Sequence, residues 1–113
     1  MSFHRVPLGQ KDENMVAPAL RKSAEGEDCT LRLSRCTHDP AQTIFAHLRF
    51  FGWAGISQKP DDLLGVYACH NCHDDLDNRA SGDWGFEDVL RALGETLMRM
   101  KSKGLVYVKG VKK

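Results

Sequence analysis

Four cysteines arranged as two pairs constrain this chain more than any other feature. Cys69-His70-Asn71-Cys72 sets two thiols two residues apart, and Cys29 and Cys36 stand across a six-residue spacer. Two intervening residues let both sulfurs reach one ion from a single turn or helix start, the knuckle that tetrahedral zinc uses. The chain has 113 residues, enough for one cored domain and too few for two. In so short a chain, a metal shared by both pairs would supply much of the folding free energy. We therefore expect a structural zinc site made by Cys29, Cys36, Cys69 and Cys72, with a hairpin over 29–36 closing the wider pair. The alternatives are four free thiols, disulfides, or a mixed site in which His38, His70 or His73 replaces one cysteine.

The compartment bears on that choice. No run approaches the roughly 18 apolar residues that cross a bilayer. Met1 to Asn14 has neither the apolar core of a signal peptide nor the arginine content of a transit peptide. The expectation is a soluble cytoplasmic protein with no membrane partner, in a reducing compartment where cysteines serve metals. Hydrophobic residues make up 42% of the chain, which argues against wholesale disorder. The net charge of +1 removes the simplest case for nucleic-acid binding but leaves room for a local basic groove.

The pattern along the chain is α+β. Residues 1–15 read as a flexible arm and 16–113 as a single domain, with a ββα core over about 43–80. A short helix is expected over Pro18 to Ala24, with Gly26 as its stop. Leu31 and Leu33 alternate with Arg32 and Ser34, a strand or hairpin pattern. Thr43 to Arg49 is the best strand, with Phe45 and His47 on one face and Ile44, Ala46 and Leu48 on the other. A loop from Phe50 to Asp62 leads to a partner strand over Leu63 to Ala68, and a helix runs from Cys69 to about Asn78. Phe86, Leu90, Leu93, Leu97 and Met100 recur at helical spacing, so a helix is expected over about 86–103. Gly104 ends it, and Leu105 to Lys109 reads as a final short strand. The apolar face of that helix is expected in the core, with pairing into a homodimer as its other use.

Three further residues could converge if the two strands pack on the helix that follows: His47, His73 and, four residues beyond it, Asp77. An imidazole with a carboxylate can hold a divalent ion, and a second imidazole can take a proton from water. Metal-assisted phosphodiester hydrolysis needs those parts. Each has a plainer use. His47 would serve as a hydrogen-bonded structural histidine, His73 as a zinc ligand, and Asp74, Asp75 and Asp77 as a solvated helix face.

Leu20 to Lys22 (LRK), Cys29 through Cys36, Ala46 to Arg49 (AHLR), Gln58 to Leu63 (QKPDDL) and Ala68 to Arg79 (ACHNCHDDLDNR) together resemble the HNH, or ββα-metal, endonuclease superfamily. They are most similar to its small YbcO-like nucleases of phages and prophages, over about residues 17–80. The resemblance implies a small zinc-stabilised ββα-metal fold with an added C-terminal helix and short strand. It also implies a phage- or prophage-encoded, metal-dependent DNA endonuclease of the bacterial cytoplasm, acting in recombination, replication or repair. It implies His47 as the general base, and His73 with Asp77 on a catalytic Mg2+, Mn2+ or other divalent ion. Arg49 would meet phosphate or the leaving group, and zinc would sit on the four cysteines. Ala46 departs from the pattern, because the position before the base is commonly a metal ligand. Asp61, Asp62, Asp74 or water would then complete the ion's shell. The middle asparagine of the motif has no clear counterpart before the second strand, where Asp61 and Asp62 lie nearest, and Asn71 and Asn78 are the other candidates.

A nuclease also needs cations for the phosphate backbone. Arg49, Lys59 and Arg79 flank the expected cleft, and Phe50, Phe51 and Trp53 lie on the adjoining loop. Aromatic side chains among basic ones suit stacking on an unpaired base, which would favour branched or single-stranded DNA. Their plainer use is in the core or at an interface between copies. The competing function is a zinc-binding module that recognises nucleic acid or protein without cutting.

Overall fold

The computed structural model describes residues 15–50, 53, 60–78 and 83–111. Helix α1 spans Pro18–Lys22, strand β1 Thr43–His47, strand β2 Gly65–Cys69, helix α2 His70–Asp77 and helix α3 Phe86–Ser102. Pro18 opens α1, where a missing N–H costs nothing, and Gly26 turns the chain away at φ 77°. A single 3-10 turn over Pro40–Gln42 delivers the chain into β1, capped by Asp39 Oδ1 accepting from the Ala41 N–H at 3.0 Å.

The two strands pair antiparallel, with Phe45 opposite Tyr67 and His47 opposite Gly65. Every residue of β2 is buried, so both faces of the sheet and its outer edge must be covered. Ala46, Leu48, Val66 and Ala68 pack with Leu76 of α2 and with Leu31 and Leu33 of the cysteine loop, and Val89 and Ala92 of α3 close that side. On the other face Tyr67 packs with Leu20 of α1 and Met100 of α3, and Phe45 adjoins them. At Tyr67 the edge is satisfied by Thr30 and Thr96. The Tyr67 N–H donates to Thr96 Oγ1 at 3.1 Å, and the Tyr67 carbonyl accepts from both the N–H and the hydroxyl of Thr30 at 2.8 Å.

That edge explains where α3 departs from expectation. Its buried line is Val89, Ala92, Thr96 and Met100, whereas Leu90 is 71% and Phe86 46% exposed. The helix is turned so that the Thr96 hydroxyl meets an unpaired strand N–H, a demand that hydrophobic spacing does not register. The final strand expected over Leu105 to Lys109 does not form. Gly104 at φ 74° carries a Schellman turn, in which the Leu105 N–H donates to the Met100 carbonyl at 2.9 Å and the Gly104 N–H to that of Lys101 at 3.0 Å. Leu105 and Val106 then fold onto the Tyr67 cluster. The hairpin expected over Cys29–Cys36 is also absent. The segment is an irregular loop, with Arg32 in the left-handed region at φ 47°.

Of the arm expected over 1–15, only Met15 is described, and it is held in place. Its N–H donates to Asp61 Oδ2 at 2.8 Å, and its carbonyl accepts from the Asp62 N–H at 3.0 Å. Among the described residues, no helix is long and apolar enough to cross a membrane.

Gly65 is required by its neighbour across the sheet. A Cβ there would stand 2.4 Å from the Phe45 ring, which lies over this position. Gly65→Ala is expected to destabilise the fold by about 1–3 kcal/mol through overpacking. Phe45→Leu in the same chain should recover part of that loss, as read by urea unfolding of the single and double variants.

Candidate functional site

The four cysteines come from two places that β2 holds together. Cys69 ends β2 and caps α2, its sulfur accepting from the Cys72 N–H at 3.5 Å. Cys29 and Cys36 bracket the loop that packs on the same side of the sheet. The four ligand atoms all lie within 4.8 Å of one another, and Cys36 Sγ stands 3.9 Å from Cys69 Sγ. Sulfurs on a tetrahedral zinc with bonds near 2.3 Å lie about 3.8 Å apart. Backbone N–H groups point at the other sulfurs too, from Arg32 to Cys29 at 3.5 Å, from Leu33 to Cys72 at 3.4 Å and from His38 to Cys36 at 3.4 Å. All four thiols are free, so disulfides are not the arrangement, and no imidazole belongs to the group.

The charge balance of the cluster also suits a cation. The Cys72 thiol hydrogen-bonded to Cys29 draws the latter down to about 4, and backbone N–H groups help against burial. Cys72 is pushed well up by that same contact and then by burial. Burial, and then repulsion from Cys29, raises Cys36 to about 11. Several thiolates this close repel one another unless a dication sits among them. The cluster could hold a metal such as zinc.

His47, at the end of β1, is half-buried beside Phe45, with ring centroids 5.2 Å apart in an edge contact. Its Nε2 lies 2.7 Å from Oδ1 of Asp62, a carboxylate with no exposure at all. Asp62 is fully engaged. Arg21 Nε of α1 donates to both oxygens, at 3.1 Å and 3.0 Å, and the Ala17 N–H donates to Oδ2 at 2.6 Å. Burial works to raise this carboxyl, but the Ala17 N–H, His47 and the Arg21 guanidinium outweigh it and hold it below the ordinary carboxylate range. Asp61 is likewise occupied, accepting from the N–H groups of Met15 at 2.8 Å and Leu63 at 2.9 Å. Asp62, buried and with both oxygens doubly engaged, is not free to complete a metal shell.

The depressed value has a sign. Asp62 adds stability above its unfolded value of about 3.9, and that stability is lost as pH falls through the lower folded value. Asp62→Asn is expected to cost about 2–3 kcal/mol at pH 7. It should also flatten the acid side of the stability profile, which urea unfolding at pH 7 and pH 3 would measure.

His73 and Asp77 pair with each other on α2, Nε2 to Oδ2 at 3.2 Å, both reaching solvent. The structure does not merge them with His47. Among the described residues, the cysteines form the one group of three or more such ligand atoms. Strand alternation gives the reason. Cys72 and Leu76 of α2 join the Ala46 and Leu48 side of the sheet, and His47 lies on the opposite side with Phe45.

Arg49 is exposed. Lys59, Arg79 and Phe51 lie outside the described residues. Phe50 and Trp53 are half-buried against the core, and the Phe50 ring meets Phe86 edge-on at 5.3 Å and Trp84 at 6.0 Å. Sequence reasoning left Asp62 without a settled role and gave Arg21 none. The signal that could have found Asp62 is an acidic pair after Pro60, just ahead of a strand whose every residue is buried.

A family model described as "Putative nuclease YbcO" matches residues 18–104. Two similar proteins are "Putative nuclease YbcO" of Escherichia coli (strain K12) and "Putative nuclease ybcO" of Enterobacteria phage 82. Each is 32% identical over 91 residues, covering 77% of this chain and 95% of its own length. A solved structure, "Structure of a putative bacteriophage protein from Escherichia coli str. K-12 substr. MG1655", superposes with a TM-score of 0.59 at 26% identity, over 76% of this chain and all of its own. With that span matched and that identity, the chain belongs to the YbcO family of phage-type nucleases named as such in its relatives.

Proposed function

We propose that the chain is a metal-dependent DNA endonuclease of the HNH type, encoded by a phage or prophage and acting in recombination, replication or repair. One observation carries this most. A histidine on β1 has one ring nitrogen on a buried, ionised carboxylate. Its other ring nitrogen has no hydrogen-bond partner among the described residues. That is the equipment of a general base.

His47 takes a proton from the attacking water as the water oxygen bonds to phosphorus. The P–O bond to the leaving sugar oxygen breaks, and that oxygen is protonated from solvent. Arg49 neutralises charge on the phosphate. His73 and Asp77 would hold a divalent ion such as Mg2+ or Mn2+. When bound, such an ion supplies charge stabilisation at the phosphate and the leaving oxygen. Cys29, Cys36, Cys69 and Cys72 would hold zinc, which would serve the fold. Among the described residues His47 is not gathered with His73 and Asp77 into one ligand group, so the scissile phosphate must reach both.

A second reading, a zinc module that binds nucleic acid without cutting, is favoured by Ala46. It is buried at the position where the resemblance leads one to expect a metal ligand. Labelled duplex, single-stranded, forked and four-way DNA, each with Mg2+, Mn2+ and Zn2+, separates the two. Cutting of any one with a divalent ion supports the nuclease. Binding across the panel without cutting supports the module.

A further inference from the structure

We propose that Asp62 is the positioning residue of this site. Anchored by Arg21 and the Ala17 N–H of α1, it holds His47 in the Nε2–H tautomer and leaves Nδ1 to receive the water proton. This rests on the nuclease reading above and extends it to a residue that touches neither water nor phosphate.

The hydrogen-bond inventory decides the tautomer. Asp62 Oδ2 accepts from the Ala17 N–H at 2.6 Å and from Arg21 Nε at 3.0 Å. Oδ1 accepts from Arg21 at 3.1 Å and lies 2.7 Å from His47 Nε2. A carboxylate facing a guanidinium and a backbone N–H is an acceptor only. The proton in the bond to His47 therefore belongs to Nε2, and a neutral imidazole with Nε2–H carries its free lone pair on Nδ1.

The orientation is fixed as firmly as the tautomer. Rotating the ring would leave a wholly buried carboxylate short of a donor. It would also disturb the edge contact with Phe45, whose ring occupies the space above Gly65. The Ala17 N–H, His47 and Arg21 together keep Asp62 charged, and the short helix that carries Arg21 is tied to the turn before β2 through Ala17 and Met15. The chain thereby makes its N-terminal helix a part of the site. When His47 takes the proton from water, its new positive charge forms against Asp62, and no proton needs to pass on to the carboxylate.

The test is ring-nitrogen NMR on the full chain labelled with 15N-histidine, with single-turnover cleavage of whichever DNA the wild type cuts. At a pH where His47 is neutral, wild type should show a protonated Nε2 and an unprotonated Nδ1. Asp62→Asn should mix the two tautomers and lower kcat by roughly 10–100-fold, with KM little changed. A wild-type Nδ1–H tautomer, or an Asp62→Asn chain with unchanged tautomer and kcat, overturns the proposal. Should Asp62→Asn not fold, the wild-type tautomer still decides, together with Arg21→Lys, which keeps the charge and loses the planar fork. If wild type shows Nε2–H but cuts no DNA, the nuclease reading fails while the positioning of His47 stands, so the two failures are distinguishable.

Discussion

Cys72→Ser is expected to leave the chain largely unfolded at 25 °C. Cys72 is fully buried at the start of α2 and lies in the same core cluster as Ala46, Val66 and Leu76. Its sulfur accepts the Leu33 N–H and so ties the cysteine loop to the helix. Loss of one of four thiolates turns a closed site into an open one, and structural zinc contributes about 10–16 kcal/mol in small zinc-dependent folds. A domain of ordinary stability has about 5–15 kcal/mol in all, so losing even part of the metal's contribution outweighs what remains. A strong chelator should act in the same direction on the unmodified chain. Circular dichroism melts with zinc content by elemental analysis would check both. The expected result is one zinc per chain in wild type, none in Cys72→Ser, and loss of the cooperative transition together with the metal. Cys36→Ser should be milder, because Cys36 is only half-buried and packs at the margin of that core.

The second large effect is on activity. His47→Ala is expected to lower DNA cleavage by about 10²–10⁴-fold, the range a positioned general base contributes. The substitution also leaves Asp62 short of one donor, but Arg21 and the Ala17 N–H remain on it. The fold should therefore survive with a loss of about 1–3 kcal/mol. His47→Ala and Cys72→Ser thus separate cleanly: the first removes chemistry from a folded chain, and the second removes the fold. On the proposed reading DNA affinity should be nearly unchanged in His47→Ala, because phosphate-backbone affinity rests on exposed cations, as Arg49 is, rather than on a half-buried imidazole.

Much of this arrangement is legible in the sequence, for reasons that differ by element. The cysteine group was found because ligand spacing is a local property: a knuckle at 69–72 is visible without knowing what packs on it. The β1–β2 pair followed from alternation, and the observed register does set Phe45 and His47 on one side and Ala46 and Leu48 on the other. Three features were not legible. The loop from Cys29 to Cys36 alternates like a strand, yet its conformation follows the sulfurs and their N–H donors, with Arg32 left-handed. The buried side of α3 was rotated by a hydrogen bond to Tyr67 that only the assembled sheet creates. Asp62 resembled its neighbour Asp61 as a spare carboxylate. What distinguishes them is burial, and burial was set by α1, whose Arg21 lies 41 positions earlier in the chain.

The two histidine pairs show where spacing misleads. His73 and Asp77 share one helix face and meet as expected. Convergence with His47 depended instead on which face of the sheet α2 covers. The core places α2 against Ala46 and Leu48, and among the described residues His47 is not gathered with His73 and Asp77 into one ligand group.

The most direct measurement is cleavage of the labelled DNA panel by purified wild type and His47→Ala, side by side, with Mg2+ or Mn2+ and with chelator. Wild type is expected to cut at least one DNA in the presence of the ion, His47→Ala to cut it at least about a hundredfold more slowly, and both to give the same dispersed NMR spectrum. Equal cutting by the two proteins, or no cutting by a folded and zinc-loaded wild type, would contradict the role proposed for His47.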